Sequence, residues 1–271
     1  MPASSNAVVA PTARERRERM RRRVVAEGFV RMEDLVEEHG VSLMTVHRDL
    51  DALQREGWLR KVRGGATAEP SSVHHGDVRH RAAAMAAAKR QIAAAALEMV
   101  EPGMSVLIDE STTGLALARL LPARAPLKVV TNFLAAVNAL ALHEGVDLVA
   151  LGGDYFPAYD AFLGLRTSEA IGSLRADVLF MSTTAVTGGH CYHQSQETVA
   201  VKRALMAAAG RRVLLLDHSK FSKQGLYRLA PLTAFDLVIL DAGTPQEHLT
   251  HLSELGVSVL VAQDLPPGTE G

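Results

Sequence analysis

The stretch Val41-Ser-Leu-Met-Thr-Val-His-Arg-Asp-Leu50, continued by Asp51-Ala-Leu-Gln-Arg-Glu-Gly-Trp58, decides how the N-terminal part of this chain folds. Ser42 is a favoured helix N-cap, because its hydroxyl can accept a hydrogen bond from an early backbone N–H. Gly57 stands where glycine commonly ends a helix. A buried stripe is predicted by the apolar residues that recur at helical spacing: Val46, Leu50 and Leu53.

The other face of this predicted helix is polar and basic. When a helix enters the major groove of DNA, short polar side chains near its N-terminus and a basic side chain after them reach base edges and phosphates. The residues of this helix expected to contact DNA are Ser42, Met44, Thr45, His47 and Arg48. An ordinary amphipathic surface helix would show the same periodicity, so the flanking segments have to decide between the two interpretations.

The flanking segments favour DNA binding. Residues 31–40 predict a short helix that ends at Gly40, and a helix, a glycine turn and a capped helix make a helix-turn-helix. Residues 58–66 alternate apolar and basic side chains and contain a Gly-Gly pair, which predicts a β-hairpin wing, and residues 28–31 are a candidate strand to pair with it. The wing residues expected to follow a phosphate backbone are Arg60, Lys61 and Arg63.

A first helix is predicted over residues 14–28. Seven arginines lie between Arg14 and Arg23. Because this helix leads directly into the helix-turn-helix, we expect some of these arginines to contact phosphates; a solvated charged face is the alternative. Residues 1–12 show no periodicity and are expected to be disordered.

Composition and charge describe a globular protein with a basic N-terminal part. Of the 271 residues, 48% are hydrophobic and 22% are charged, which suits a substantial core and two domains. The formal net charge is −1, yet residues 1–63 hold 13 Lys and Arg against 10 Asp and Glu. A basic N-terminal part on an acidic remainder indicates a nucleic-acid contact confined to the N-terminus.

Cysteine content and hydropathy indicate the compartment. Cys191 is the one cysteine, so an intrachain disulfide is excluded and a reducing compartment is favoured. The N-terminus lacks the apolar core of a signal peptide, and no apolar run reaches transmembrane length. We therefore expect a cytoplasmic protein with no membrane partner.

A linker is predicted over residues 69–76, which are rich in proline, serine and histidine. His74 and His75 in this segment are expected to be solvated rather than to bind a metal. Residues 77–100 then predict one long alanine-rich helix.

The rest of the chain alternates strand-like and helix-like segments. Short runs rich in Val, Leu and Ile are typical of strands buried on both faces. These runs cover residues 105–109, 127–131, 146–151, 177–182, 212–217, 236–241 and 258–262. Helix-like segments separate most of them, which predicts a Rossmann-like α/β domain with a mostly parallel sheet. Ligands of such sheets bind beyond the carboxyl ends of the strands.

The predicted strand ends carry the groups that an anionic ligand requires. Asp109-Glu-Ser-Thr-Thr-Gly114 follows the first strand and leads into a helix, and hydroxyls at a helix N-terminus favour an anion. The residues expected to bind a ligand are Asp109, Ser111, Thr112, Thr113, Thr131, Asn132, Gly152, Gly153 and Lys220. Their mixture of hydroxyl, amide, carboxylate and ammonium groups suits a phosphorylated polyol. Ordinary turn chemistry is the alternative for each loop taken alone.

Residues 188–193 contain His190, Cys191 and His193, which are possible metal ligands. They lack a second ligand pair at zinc-finger spacing, so a loop that contacts the ligand is favoured over a metal site. No local motif supports Cys191 as a nucleophile. We predict no metal and no cofactor.

Both halves resemble the DeoR family of bacterial transcriptional regulators, from Arg14 to Ala262. The N-terminal signature is residues 41–53 with Gly57 and a wing that ends Arg63-Gly-Gly-Ala66; the family more often has two adjacent basic residues where this chain has His47-Arg48. The matching C-terminal segments are residues 109–113, 130–132, 151–153, 162–164, 201–204 and 217–221.

The C-terminal half resembles the family's effector domain, which is related to sugar-phosphate isomerases. The resemblance implies a winged helix-turn-helix over residues 13–66, a linker over 67–76 and an effector-binding domain over 77–265. It also implies a repressor of a carbohydrate operon, a homodimer or homotetramer that binds double-stranded operator DNA, and a phosphorylated sugar effector.

Within that effector domain, we expect Glu197 to join Asp109 and Asn132 in binding hydroxyls, and Lys202 or Lys220 to neutralise charge. Ser111 replaces the usual glycine, and residues 180–183 lack the glycine that commonly follows the aromatic residue, so the effector is expected to differ from the usual ones.

Two other functions are compatible with the sequence. A sugar-phosphate isomerase with an added DNA-binding head would use Glu197 or Asp109 as its base; no carboxylate can be given a catalytic setting from sequence, so we predict no enzyme. A sensor whose head binds a protein would be insensitive to salt, whereas DNA binding weakens steeply as salt rises.

Overall fold

The chain divides into two compact units, Met1–His74 and His75–Gly271. The computed structural model describes residues 12–27, 29–55, 59–68 and 78–264. Several predictions lie outside the described residues: the disordered start up to residue 11, the helix ends at Gly28 and Gly57, the linker from residue 69 onwards, and the solvated His74 and His75.

Three helices and a three-stranded sheet make up the described part of the N-terminal unit. They are α1 (Ala13–Glu27), β1 (Phe29–Arg31), α2 (Met32–His39), α3 (Leu43–Arg55), β2 (Leu59–Val62) and β3 (Gly65–Ala68). β3 lies between β1 and β2, and both pairings are antiparallel. The predicted winged helix-turn-helix is confirmed, together with the short strand that pairs with the wing.

Capping residues explain the short turn between α2 and α3. Gly40 adopts a left-handed φ of +59°, and its N–H donates to the carbonyl of Val36 at 3.0 Å. The hydroxyl of Ser42 accepts the N–H of Thr45 at 3.2 Å, which is the predicted N-cap bond. The apolar stripe of α3 is buried in a core that α1, α2 and β2 share, formed by Val46, Leu50, Leu53, Met20, Leu35 and Leu59.

The C-terminal unit alternates helices and strands along most of its length. Its helices are α4 (Val78–Ala83), α5 (Ala86–Leu97), α6 (Thr112–Ala118), α7 (Leu134–Leu140), α8 (Leu165–Gly172), α9 (Gln196–Ala208) and α10 (Gln246–Glu254). Its strands are β4 (Ser105–Ile108), β5 (Leu127–Thr131), β6 (Val146–Ala150), β7 (Asp154–Phe156), β8 (Ala161–Leu163), β9 (Ala176–Met181), β10 (Ala185–Thr187), β11 (His190–His193), β12 (Ala209–Leu216), β13 (Tyr227–Pro231), β14 (Leu237–Leu240) and β15 (Val259–Val261). Short 3-10 helices cover Leu121–Arg124, His218–Ser222 and Leu232–Ala234.

Seven of the described strands form one parallel sheet in the order β15-β14-β12-β9-β4-β5-β6. The chain starts at β4, runs outward to β5 and β6, and then returns to build the other side from β9. Ligands of such sheets bind beside this reversal, beyond the carboxyl ends of the strands. The predicted α/β domain and its strands are confirmed.

The central strands of the sheet are buried on both faces. Val106 and Ile108 of β4 pack into one core layer, and Leu107 between them packs into the other. The short apolar runs in the sequence are explained by this two-sided burial, because every side chain of a central parallel strand meets a helix layer. Among the described helices, none combines the length and the apolar character that crossing a membrane requires.

The prediction that residues 188–193 form a loop was wrong, whereas their contact with a ligand stays a prediction. His190–His193 form β11, the central strand of a three-stranded antiparallel sheet with β10 and β13. Burial alternates along β11, and the side chain of Cys191 points into the core. Burial raises the pKa of the Cys191 thiol to about 12, so this cysteine stays protonated and does not act as a nucleophile.

The prediction of one long helix over residues 77–100 was also wrong. The helix is broken between α4 and α5, where Met85 adopts a left-handed φ of +56°. The ammonium group of Lys89 donates to the carbonyl of Arg81 and, at 2.6 Å, to the carbonyl of Ala84. A buried lysine therefore satisfies carbonyls that the break leaves without a helical partner.

Candidate functional site

The first turns of α3 present the residues predicted to contact DNA. Ser42, Met44 and Arg48 are exposed, whereas Thr45 and His47 are half-buried. Met44 is 64% exposed, and it lies one turn before Arg48 on the same side of the helix. The hydroxyls of Ser42 and Thr45 share a hydrogen bond of 3.0 Å, so the cap already engages both of them.

The wing contributes fewer available charges than the sequence predicted. Arg63 is exposed in the hairpin turn between β2 and β3. Lys61 contacts the carboxylate of Asp51 in α3 at 2.6 Å, so its charge is already paired within the N-terminal unit. The side chain of Arg60 lies outside the described residues. Within the described residues, Arg48 and Arg63 have no ion-pair partner.

Most arginines of α1 are engaged in ion pairs. Arg16 donates to the nearly buried carboxylate of Asp49 in α3 at 2.7 Å, and Arg23 contacts the carboxylate of Glu38 in α2. Arg17, Arg21 and Arg22 pair with Asp49 or with Glu18. The pairs of Arg16 and Arg17 with Asp49 and of Arg23 with Glu38 hold α1 against the helix-turn-helix, whereas the pairs with Glu18 lie within α1. Arg14 and Arg19, which are exposed, are the first candidates for the predicted phosphate contacts.

In the C-terminal unit, the loop after β4 is held by its own hydrogen bonds. Ser111 is the N-cap of α6, because its hydroxyl accepts the N–H of Gly114 at 2.9 Å. The hydroxyl of Thr112 donates to the carbonyl of Arg81 in α4 at 3.3 Å. Thr113 is buried beside them. The loop thus joins the carboxyl end of β4 to the end of α4.

Three ionisable side chains are buried together behind this loop: Asp109, Glu110 and Lys202, which we call the acid–lysine triad. Each is at most 2% exposed. Lys202 of α9 contacts both carboxylates, that of Glu110 at 2.8 Å. Burial alone would lower the pKa of Lys202, but the two carboxylates raise it. Lys202 is therefore already neutralised within the protein, which argues against its predicted role of balancing an effector charge.

A second charged group is found near Asp217, directly after β12. Lys220 contacts the Asp217 carboxylate, the charges of Lys89 and Lys223 act on both of these groups, and the charge of Arg81 acts on Lys220. We call Arg81, Lys89, Lys220 and Lys223 the cation group. Burial lowers the pKa of Lys220 to about 7; Asp217, 3.7 Å away, opposes this shift, and the other three cations add to it. Burial likewise lowers the pKa of Lys89 to about 8. Four cations against one buried carboxylate favour an anion here.

The other predicted ligand residues occupy different settings. Thr131 and Asn132 are fully buried at the end of β5, where the Thr131 hydroxyl accepts the N–H of Phe133 and the Asn132 amide donates to the carbonyl of Phe162. Glu197 is exposed, and backbone and Ser195 hydrogen bonds lower its pKa.

The Gly152-Gly153 pair has an intramolecular explanation. A Cβ on Gly153 would lie 2.0 Å from the hydroxyl of Thr167, and that hydroxyl donates to the carbonyl of Gly152 at 2.9 Å. The close approach that glycine permits is thus made by α8. Space remains open at Gly152.

Sequence reasoning missed four residues of this region: Glu110, Arg81, Lys89 and Tyr159. Glu110 stands within the predicted loop and could have been found there, next to Asp109. Lys89 was visible only as an interruption of an alanine-rich helix. The ring of Tyr159 lies 5.9 Å from the guanidinium carbon of Arg81 and 5.7 Å from the ring of His193. No local sequence pattern indicated Tyr159 or Arg81.

Comparison with known proteins identifies the family. Residues 16–72 match the DeoR-like helix-turn-helix domain, and residues 84–242 match the DeoR C terminal sensor domain. The putative aga operon transcriptional repressor of Escherichia coli O157:H7 is 31% identical over 257 residues, which are 91% of this chain and 93% of that protein.

Two relatives from Haemophilus influenzae cover similar shares. The glycerol-3-phosphate regulon repressor is 32% identical over 85% of this chain and 90% of that protein. The L-fucose operon activator is 30% identical over 81% of this chain and 88% of that protein. This chain therefore belongs to the DeoR family of helix-turn-helix transcriptional regulators.

Proposed function

We propose that this chain represses a carbohydrate operon and is released from its operator by a phosphorylated sugar. The observation that carries the effector half is the cation group: Lys220 lies 3.7 Å from the buried carboxylate of Asp217 beyond β12, and the charges of Lys89, Lys223 and Arg81 act on Lys220. The exposed Arg48 and Arg63 support the operator half. Two relatives are named as repressors, of the aga operon and the glycerol-3-phosphate regulon, and one as an activator.

The operator would be read by two recognition helices of a homodimer or homotetramer. A two-fold axis would place the α3 helices in successive major grooves. Met44, Thr45, His47 and Arg48 would meet bases or adjacent phosphates there, and Arg63 would meet the backbone. The domain limits that accompany this proposal are 13–66 and 77–265, joined by a linker over 67–76.

The effector's phosphate would bind the cation group, with the hydroxyls of Thr112 and Thr113 as further donors. Thr112 and Lys89 both donate to the carbonyl of Arg81. A phosphate that attracts these donors would compete with that carbonyl and loosen the end of α4. α4 is the first described element after the predicted linker, so a conformational change in α4 can reach the DNA-binding domain. A ligand shifts such an equilibrium only by its different affinities for the two states, typically about 1–3 kcal/mol.

The proposed function does not include catalysis. The carboxylate of Asp109 accepts the N–H groups of Ser111 and Ser182 at 3.1 and 2.9 Å and also contacts Lys202. The pKa of Glu197 lies below its ordinary value, which makes this exposed carboxylate a weak base. Turnover of a sugar phosphate by the purified protein would contradict this part of the proposal.

A thermal-shift screen followed by a mobility shift tests the proposal. Phosphorylated sugars are added to the purified chain, and each one that raises its melting temperature is then added to a complex with the DNA upstream of the protein's own gene. We expect a stabilising sugar to weaken that complex about tenfold. We also expect the complex to weaken steeply between 50 and 200 mM salt. No complex at 50 mM salt would contradict the operator half, and no stabilisation by any anion would contradict the effector half.

Sulfate binding to the cation group is expected to weaken between pH 7 and pH 9. The pKa values of Lys220 and Lys89 are about 7 and about 8, so both ammonium groups lose protons over this range, whereas sulfate keeps its charge. The affinity should fall by up to about tenfold for each pH unit above the pKa of one lysine. Isothermal titration calorimetry in chloride buffers of matched ionic strength measures it.

The sign of the accompanying stability change follows from the same lowered pKa values. The unfolded chain holds these protons more tightly than the folded one, so the free protein should become more stable as pH rises through this range. Lys220→Arg keeps its charge and should flatten the pH dependence of sulfate binding. An affinity that stays constant in the wild type would contradict the placement of the anion at these lysines.

A further inference from the structure

The acid–lysine triad contains one more negative charge than positive charge. Lys202 contacts both carboxylates, and all three side chains are buried. A buried carboxylate without a full complement of partners is costly, and a protein interior normally avoids it. One of the two carboxylates therefore has a use other than neutralising Lys202.

Asp109 has a structural role besides its contact with Lys202. Its two oxygens accept the N–H groups of Ser111 and Ser182, and one of them also contacts Lys202. Asp109 thereby ties the loop after β4 to the end of β9 and to α9. These bonds account for its burial.

Glu110 differs from Asp109 in this respect. Its Oε1 atom contacts Lys202, but its Oε2 atom is buried and has no hydrogen-bond partner among the described residues. Within the described chain, two more buried polar atoms of this edge have no hydrogen-bond partner. They are the Oδ1 atom of Asn132, at the end of the neighbouring strand β5, and the hydroxyl of Thr198, one turn before Lys202 on α9. Native interiors leave few such atoms, and these can accept hydrogen bonds from a ligand.

Glu110 also lies near the cation group, because Thr112, two residues further along the loop, donates to the carbonyl of Arg81 at 3.3 Å. The ring of Tyr159 is packed against Arg81. Burial raises the pKa of the Tyr159 hydroxyl; the charge of Arg81 opposes this shift and that of Glu110 adds to it. A ligand whose phosphate binds the cation group would therefore extend its carbon chain past Tyr159 towards a negative, acceptor-rich end.

We propose that Glu110 determines the chemical class of the effector. Its Oε2 atom accepts a hydrogen bond from a hydroxyl or ammonium group on the effector's carbon chain, and its charge excludes a carboxylate at that place. The inference rests on the proposed function and narrows it: the effector is a phosphorylated polyol, sugar or amino sugar, and not a phosphorylated sugar acid.

The melting temperature of the free protein gives the first test. In Glu110→Gln, the amide oxygen can still accept from Lys202, which keeps Asp109 as its counter-ion, and one uncompensated buried charge is removed. We expect the melting temperature to stay the same or to rise by about 2–4 °C. Asp109→Asn, which disturbs the loop, should lower it by roughly 5 °C or more. A fall in Glu110→Gln as large as that in Asp109→Asn would overturn the proposal, since Glu110 would then be a structural residue.

Matched ligand pairs give the second test. The probes are glucose 6-phosphate against 6-phosphogluconate, ribose 5-phosphate against 5-phosphoribonate, and glycerol 3-phosphate against 3-phosphoglycerate. In any pair that binds, we expect the acid to bind wild type at least about tenfold more weakly than its partner, and Glu110→Gln to reduce this ratio to about threefold or less. The exposed Glu144→Gln is the matched control and should behave as wild type.

The outcomes separate this inference from the proposed function. Acids that bind wild type as tightly as their partners would overturn the role of Glu110 and leave the phosphate site intact. If neither inorganic phosphate nor any sugar phosphate binds, the effector half of the proposed function fails, and the role of Glu110 at that site fails with it.

Discussion

Arg48→Ala is expected to weaken operator binding about 100-fold or more and to leave stabilisation by a phosphorylated effector unchanged. Arg48 is exposed on α3 and has no ion-pair partner within the described residues, so its guanidinium is available to a base edge or phosphate. Such a contact contributes about 1–3 kcal/mol, and the proposed dimer would lose it in both of its N-terminal units. The substitution removes no buried contact, so the head should remain folded.

Mobility shifts on the DNA upstream of the gene and thermal shifts with the effector measure the two properties on the same preparation. Arg90→Ala, an exposed arginine of α5 in the sensor unit, is the matched control and should retain operator affinity within about twofold. If Arg48→Ala lost operator binding and effector stabilisation together, the separation of the two functions between two units would be wrong.

Lys202→Met is expected to lower the melting temperature by roughly 10 °C. The substitution keeps the length of the side chain and removes the only cation that contacts the two carboxylates of the triad in the described structure. Breaking a buried ion pair by removing one partner costs about 3–5 kcal/mol, and each kcal/mol shifts the melting temperature by about 2–4 °C in a domain of this size.

Calorimetry at pH 8 is the appropriate measurement for Lys202→Met. The pKa of Lys202 is raised in the folded protein, so its contribution is fully present below the unfolded pKa of about 10.4 and is lost only as pH rises through the folded value. Lys128→Met is the control, because the pair of Lys128 with Asp147 is exposed and such pairs contribute at most about 1 kcal/mol. Equal losses in the two variants would contradict the importance of the triad for folding.

Much of the fold could be predicted because its signals are local. The cap at Ser42, the left-handed Gly40 and the stripe of Val46, Leu50 and Leu53 act within one or two helical turns, and all are confirmed. The seven strands of the parallel sheet were predicted from short apolar runs, since two-sided burial makes a strand apolar at every position. The helices α6 to α10 begin and end within about three residues of the helix-like segments of the sequence, which cover residues 113–121, 133–143, 167–174, 197–209 and 245–255.

The candidate sites could be predicted only as a region. The sequence indicated that residues following β4, β5 and β12 would share one edge, because parallel strands end together. The sequence did not indicate which side chains would already be paired with other residues of the protein. Lys202 was expected to balance a ligand and instead contacts two buried carboxylates, and Lys61 of the wing is paired with Asp51.

The sequence alone determined the helix-turn-helix with its wing and the strands and helices of the parallel sheet, because spacing, capping residues and apolar runs depend on neighbours in the chain. Only the tertiary structure decided where the long alanine-rich segment breaks, which acid of the pair Asp109 and Glu110 is left with an unpaired oxygen, and which lysines gather around Asp217. These features depend on side chains that are distant in sequence, and burial and charge act on them only after the sheet has brought them together.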